Sequence, residues 1–210
     1  MPFGQEIGRR LGTRVLIEND ANLVALAEHG FGFGHGLATF MVVTIENVIG
    51  MGLVLNGRLH RGAHGMGPEF GHVKAASNWG ILQQALASDA IEPAEDGAGP
   101  RQLVELTRRA QAGNNALAGL FRRAGEVLGL AIANAVNLLN PPCLVITGEG
   151  LHAGDLLRVP LLAAIRANVL PTLQEATQIV FYPWGDEMWA RGAVTIVLRQ
   201  IYEAPWNNAA

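Results

Sequence analysis

Half of the chain's 210 residues are apolar and only 16% are charged, which excludes a disordered protein and is ample for a buried core. A net charge of −3 with no run of Lys or Arg excludes an electrostatic footprint for nucleic acid on this chain. The lone cysteine, Cys143, excludes an internal disulfide framework and fits a reducing cytoplasm; no apolar run approaches the roughly 20 residues of a spanning helix, and the N-terminus is not a signal peptide.

In chain order, residues 2–11 read as a short amphipathic helix, with Phe3, Ile7 and Leu11 at helical spacing and Gly12 as its stop. Residues 14–18 (RVLIE) read as a short buried strand that runs into Asn19-Asp20, after which residues 21–28 resume as helix. Polar residues between a strand and a helix stand at the carboxyl edge of a sheet, where open α/β sheets bind ligands. A glycine-rich connector (30–36) leads to two strands, 38–46 and 50–55, and Asn56-Gly57 after them signals a hairpin. Further on come a helix at 81–88, a loop at 92–100, a helix at 101–110 and a long helix at 114–140. The last has an apolar face including Leu117, Phe121, Leu128, Ala131, Ala135 and Leu138, suited to the core or to a second subunit. Pro141-Pro142 ends it, and residues 143–147 form a buried strand in which Cys143 is a core thiol. Residues 154–168 are helical, with Pro160 expected to kink or split them. A strand at 178–182 and a closing helix at 187–202 follow, and the tail from Ala204 frays.

Two stretches carry chemistry. In RLHRGAHGMGPEFGHV (58–73), Gly62, Gly65, Gly67 and Gly71 bring the backbone close to whatever Glu69 and His72 face. A carboxylate and an imidazole three apart suit hydrogen bonding to hydroxyls or binding a metal; a solvated surface loop would look the same. Asp20, in the second stretch, suits either an N-cap, which needs only the free N–H groups of the next turn, or a general base taking a proton from a hydroxyl.

Taken whole, RGAHGMGPEFGHV resembles the signature of the ROK family of bacterial repressors and sugar kinases, whose G-E-x-G-H reads here Gly67-Pro68-Glu69-Phe70-Gly71-His72 with Pro68 inserted. IENDAN (17–22) resembles that family's E-N-D-A-N motif, and the two stretches occur in the family's order. The resemblance implies an α/β actin-like ATPase (ribonuclease-H-like) fold, of which this chain is the C-terminal part of a two-lobed domain. Residues 1–36 end the first lobe, 37–186 make the second, and 187–210 are a closing helix and tail. It further implies that Asn19, Asp20, Glu69 and His72 contact a sugar, with Asp20 the base in kinases, and that a further sugar contact falls at Gln83 or Gln84, taken here as Gln84.

Departures from the family matter as much. Its G-T-G-x-G-G-G phosphate loop is here degenerate: Thr44, Ile45, Glu46, Asn47, Val48, Ile49, Gly50, Met51, Gly52. A carboxylate at Glu46 repels a polyphosphate, and Val48 does not readily take a positive φ. Gly148-Glu149-Gly150 resembles the family's G-G-G turn near the adenosine, again with an acid at its centre. The family's zinc, for which His72 would be the first ligand, lacks its three cysteines after His72, so no metal or other cofactor is expected. The opening D-x-G-G-T strand-turn and the winged helix-turn-helix of the repressors are also absent from these residues. The expectation is therefore a cytoplasmic, sugar-sensing effector domain of a ROK-type regulator. It would bind a sugar or sugar phosphate, act as a homodimer or homotetramer, and reach DNA only through an N-terminal domain outside this chain. The alternative is a sugar kinase using Asp20 with ATP-Mg.

Overall fold

The computed structural model describes residues 3–46, 48–65, 67–73, 100–183 and 187–202. The helix expected at 81–88, the loop at 92–99, Gln84, Asn47, the boundary near residue 185 and the tail lie outside the described residues. Five strands form one mixed sheet in the order β3-β2-β1-β4-β5. They are β1 (Phe40–Ile45), β2 (Ile49–Leu55), β3 (Arg58–Leu59), β4 (Cys143–Thr147) and β5 (Gln178–Phe181). The β1-β2-β3 meander is antiparallel, whereas β4 lies parallel to β1 and β5 parallel to β4. Strands β1 and β4 are buried along their whole length, which is why FMVVTI and CLVIT read as unbroken runs.

Strand alternation sends the two halves of that run into different cores. Met41, Val43 and Ile45 of β1, with Leu144 and Ile146 of β4, face one side. There they meet α3 (Pro100–Gln111), α4 (Asn115–Leu139) and α5 (Asp155–Asn168). Phe40, Val42, Cys143 and Val145 face the other side, against Val24 and Ala25 of α2 (Asp20–Phe31). Each fully buried Leu, Ile or Phe contributes about 1.5–3 kcal/mol. Burial pushes the Cys143 thiol up to about 11, with the charge of Glu28 adding to it, as befits a core thiol.

Helix α2, placed by the sequence at the end of a first lobe, packs directly on β1 and β2. Two glycines make this possible. A Cβ on Gly52 would collide with the Ala21 carbonyl and the Ala25 methyl, and one on Gly50 would come within 2.8 Å of Ala21 Cβ. The closing helix α7 (Glu187–Tyr202) covers α2 from outside, with Gly192 against the backbone of Leu23. His29 ties these elements together, donating from Nε2 to the Leu37 carbonyl at 3.0 Å and accepting at Nδ1 from Arg199 at 2.7 Å. A carbonyl only accepts and a guanidinium only donates, so the partners fix the tautomer. Burial holds the His29 pKa below its ordinary value; the Leu37 contact opposes this, and the charges of Arg199 and His35 add to it.

Several sequence expectations change in space. Residues 14–18 are extended but unpaired, and Ile17 is 60% exposed, because no described segment lies alongside to take their backbone bonds. Helix α1 (Phe3–Leu11) buries none of its residues. Pro160 does not split α5, which runs unbroken from Asp155 to Asn168: it forfeits one backbone bond, while α5 is held against α4 where Gly125 and Gly129 let the two backbones approach. Leu138, assigned to the apolar face of α4, is 84% exposed, one step out of the buried stripe that ends at Val136. The hairpin holds as expected, with Asn56 and Gly57 both at positive φ (52° and 71°) between Leu55 and Arg58.

Candidate functional site

The first turn of α2 and the signature loop converge on the start of β2. Ala21 packs against Gly50, while Gly71 is pressed on the carbonyl of Ile49, where a Cβ would come within 2.5 Å. Phe70 anchors the loop, buried in the core on the α4 side, and the short 3-10 turn Phe70–His72 carries Glu69 at its entry and His72 at its end. Their side chains point into solvent with Glu69 Oε2 and His72 Nε2 3.9 Å apart. The loop thus offers a carboxylate and an imidazole side by side, on a backbone fixed from beneath.

At α2, Asn19 and not Asp20 is the N-cap: its Oδ1 accepts from the amides of Ala21 at 3.0 Å and Asn22 at 3.4 Å. Asp20 is the first helical residue, and its Oδ1 accepts from the Ala21 amide at 2.7 Å. With those oxygens engaged, Asn19 has its amide NH2 to offer a ligand hydroxyl and Asp20 has Oδ2 as an acceptor. Both residues are exposed. Donor and acceptor stand on adjacent residues at a helix N-terminus, an arrangement that suits a polyhydroxylated ligand.

Sequence reasoning missed the residue that joins the two motifs. Glu18, quoted only as part of IENDAN, has a side chain just 6% exposed, and its Oε2 accepts from Arg61 Nε at 2.6 Å. Its Oε1 accepts from Asn22 Nδ2 at 2.8 Å and from the Asn19 amide at 3.1 Å. Asn22 is buried too, and its Oδ1 has no hydrogen-bond partner. An acid closing the apolar run Val15-Leu16-Ile17 was the available signal, since a buried carboxylate requires partners.

The β4 side of the same sheet edge is built differently. Thr44 is buried opposite Gly50, and Glu46 turns its Oε1 toward the Gly148-Glu149 turn, accepting from the Glu149 amide at 3.3 Å. Gly148, at φ 105°, has no room for a side chain: a Cβ would meet the Ile45 carbonyl at 2.5 Å and Glu46 Oε1 at 2.6 Å. Gly150 lies equally close on the Ile45 side chain. Gly50 and Gly52, read as remnants of a phosphate loop, have a packing role toward α2.

The sequence profile of the ROK family matches residues 1–200. The chain belongs to the ROK family. Among its relatives, the glucokinase of Thermotoga maritima is 26% identical over 228 aligned positions, covering 96% of this chain and 71% of that protein. The DNA-binding transcriptional dual regulator NagC of Escherichia coli is also 26% identical, over 93% of this chain and 52% of its own length. Among solved structures, the ROK hexokinase from Thermus thermophilus superposes with a TM-score of 0.77 at 27% identity, covering 97% of this chain and 71% of that one. The fold is accordingly the actin-like ATPase fold of the family's sugar kinases. ROK relatives thus include both kinases and regulators, and this chain spans about seven-tenths of the former and half of the latter.

The zinc that the family resemblance attaches to His72 does not fit the residues present. The family's site sets three thiolates beside the imidazole, and the only thiol in the chain, Cys143, is buried in β4. Among the described residues, no helix is long and apolar enough to cross a membrane.

Proposed function

We propose that this chain is the sugar-binding effector portion of a ROK-family transcriptional regulator. Asn19, Asp20, Glu69 and His72 hold the sugar, with Gln84 added from outside the described residues. The Asn19 amide donates to a hydroxyl, Asp20 Oδ2 and Glu69 accept from others, and His72 completes the set beside Glu69. The observation that carries the regulator over the kinase is the carboxylate of Glu46, which stands in the degenerate phosphate loop and takes the Glu149 N–H of the turn that the family resemblance puts near the adenosine. A second carboxylate at Glu149 adds to the repulsion. With a net charge of −3, the chain does not itself read the duplex; in this proposal a helix-turn-helix outside residues 1–210 does so, and paired copies transmit the signal.

The kinase reading has support of its own: Asp20 is exposed at the start of α2, where a general base could meet a hydroxyl, and the kinase relatives are slightly more similar to this chain than the regulators. Calorimetric titration separates the two readings, with glucose, xylose, N-acetylglucosamine and ATP-Mg as ligands. The regulator reading expects one of the sugars to bind and ATP-Mg to give no heat. ATP-Mg binding comparable to that of the sugar overturns it.

A further inference from the structure

Glu18 and Arg61 stand 43 residues apart in sequence and meet at 2.6 Å. Both oxygens of the Glu18 carboxylate are engaged by the chain itself, Oε2 by Arg61 and Oε1 by Asn22 and the Asn19 amide. With a side chain only 6% exposed, Glu18 has no share in contacting a ligand. Its partners are what matter. The Asn19 amide is the backbone of a proposed sugar contact, and Asn22 is the next polar residue of the same helical turn. Arg61 opens the signature loop, and its carbonyl accepts from the Gly67 amide at 2.9 Å, closing that loop two residues before Glu69. Arg61 therefore holds the loop in two ways, with its side chain onto α2 and its carbonyl onto Gly67.

We infer that Glu18 and Arg61 are positioning residues: their ion pair locks the signature loop onto the first turn of α2 and sets the spacing between Asn19-Asp20 and Glu69-His72. This rests on the sugar-binding reading of those four residues and adds to it a determinant that never touches the sugar. The physical basis is the asymmetry of a pair whose carboxylate is buried and whose guanidinium is partly exposed. With the guanidinium removed, the Glu18 carboxylate stays enclosed without its counter-charge, and the loop loses its anchor on α2. A hydroxyl network read by donors and acceptors on two separate elements tolerates little change in their separation.

A double-mutant cycle on sugar affinity tests this, using whichever of glucose, xylose and N-acetylglucosamine binds the wild-type chain. Arg61→Gln and Glu18→Gln should each weaken binding by about tenfold, the scale of one lost charge-assisted contact. The double variant should be no weaker than the worse single one, because both remove the same link. Arg61→Lys should recover part of the loss. A double variant whose loss is the product of the singles, or an Arg61→Gln chain that binds like wild type, overturns the inference. Amide hydrogen exchange at Gly67 is the second readout, and Arg61→Gln should speed it while leaving β1 and β4 protected. Arg61 is partly exposed, so this variant keeps the test open should Glu18→Gln not fold. If no sugar binds the wild-type chain, the sugar-binding reading fails. The lock is then judged on exchange alone, and unchanged exchange at Gly67 overturns it.

Discussion

The two flanks of the β1–β2 turn, one on the β2 side and one on the β4 side, use their carboxylates in opposite ways. Near the start of β2, one buried acid, Glu18, is saturated by the chain, while Asp20 and Glu69 are left exposed on fixed backbone. Near the end of β1, Glu46 bends back and takes a backbone amide of the Gly148-Glu149 turn. In the proposed reading the first arrangement presents acceptors to a sugar, and the second puts a carboxylate into the degenerate phosphate loop. Both hang on one sheet edge, one with exposed acids and one with its acid turned onto the backbone. Fold alone therefore does not fix function here, and the side chains on each side must be weighed separately.

The largest effect should come from breaking the support beneath this sheet edge. Gly52→Val would drive a branched side chain into Ala21 and Ala25, at an expected cost of about 3 kcal/mol, read as a lower urea midpoint. A variant as stable as wild type would show that α2 does not rest on β2 as described. Next, Asp20→Ala and Glu69→Ala should each lower sugar affinity ten- to a hundredfold, about 1–3 kcal/mol, with little change in melting temperature. Wild-type affinity in both variants would remove the exposed acids from the comparison.

The β4 side is sharpened by Glu46→Gly, which frees the Glu149 amide and removes one negative charge. A weak nucleotide affinity should appear, a gain of about 1 kcal/mol visible by fluorescence with a labelled ATP. If the variant still ignores ATP, Glu46 is not what faces phosphate there. The smallest expected effect is pH-dependent. Burial and Arg199 hold the folded His29 pKa below its ordinary 6.5, so the unfolded chain takes up a proton that the folded chain refuses. That stabilisation is complete above pH 6.5 and is lost as pH falls through the folded value. Buried Glu28, raised by desolvation, acts in the opposite sense, its contribution being lost as pH rises through its folded value. Comparing urea midpoints of wild type and His29→Gln across this range isolates the histidine, and the variant should show the flatter profile.

Much of the scaffold was legible because its signals are local. Asn56-Gly57 demanded a two-residue hairpin, the apolar run of β1 demanded burial on both faces, and Asn114 and Pro141 bracket α4 almost to the residue. What failed depended on neighbours the sequence does not display. Residues 14–18 have a strand's composition, yet a strand exists only where a partner takes its hydrogen bonds. Pro160 is a helix breaker by its own chemistry, overridden by the close packing of α5 on Gly125 and Gly129. At the site, the motif residues were visible as a pattern, whereas the Glu18–Arg61 pair was not. Its two members lie on separate elements, and only folding brings them together.

The most direct test of the central claim is a single assay on the 210-residue chain: ADP release from ATP-Mg in the presence of the sugar shown by calorimetry to bind. Sugar binding without ADP release above background is the predicted result. Sugar-dependent ADP release that Asp20→Asn abolishes would contradict it and make the chain a kinase.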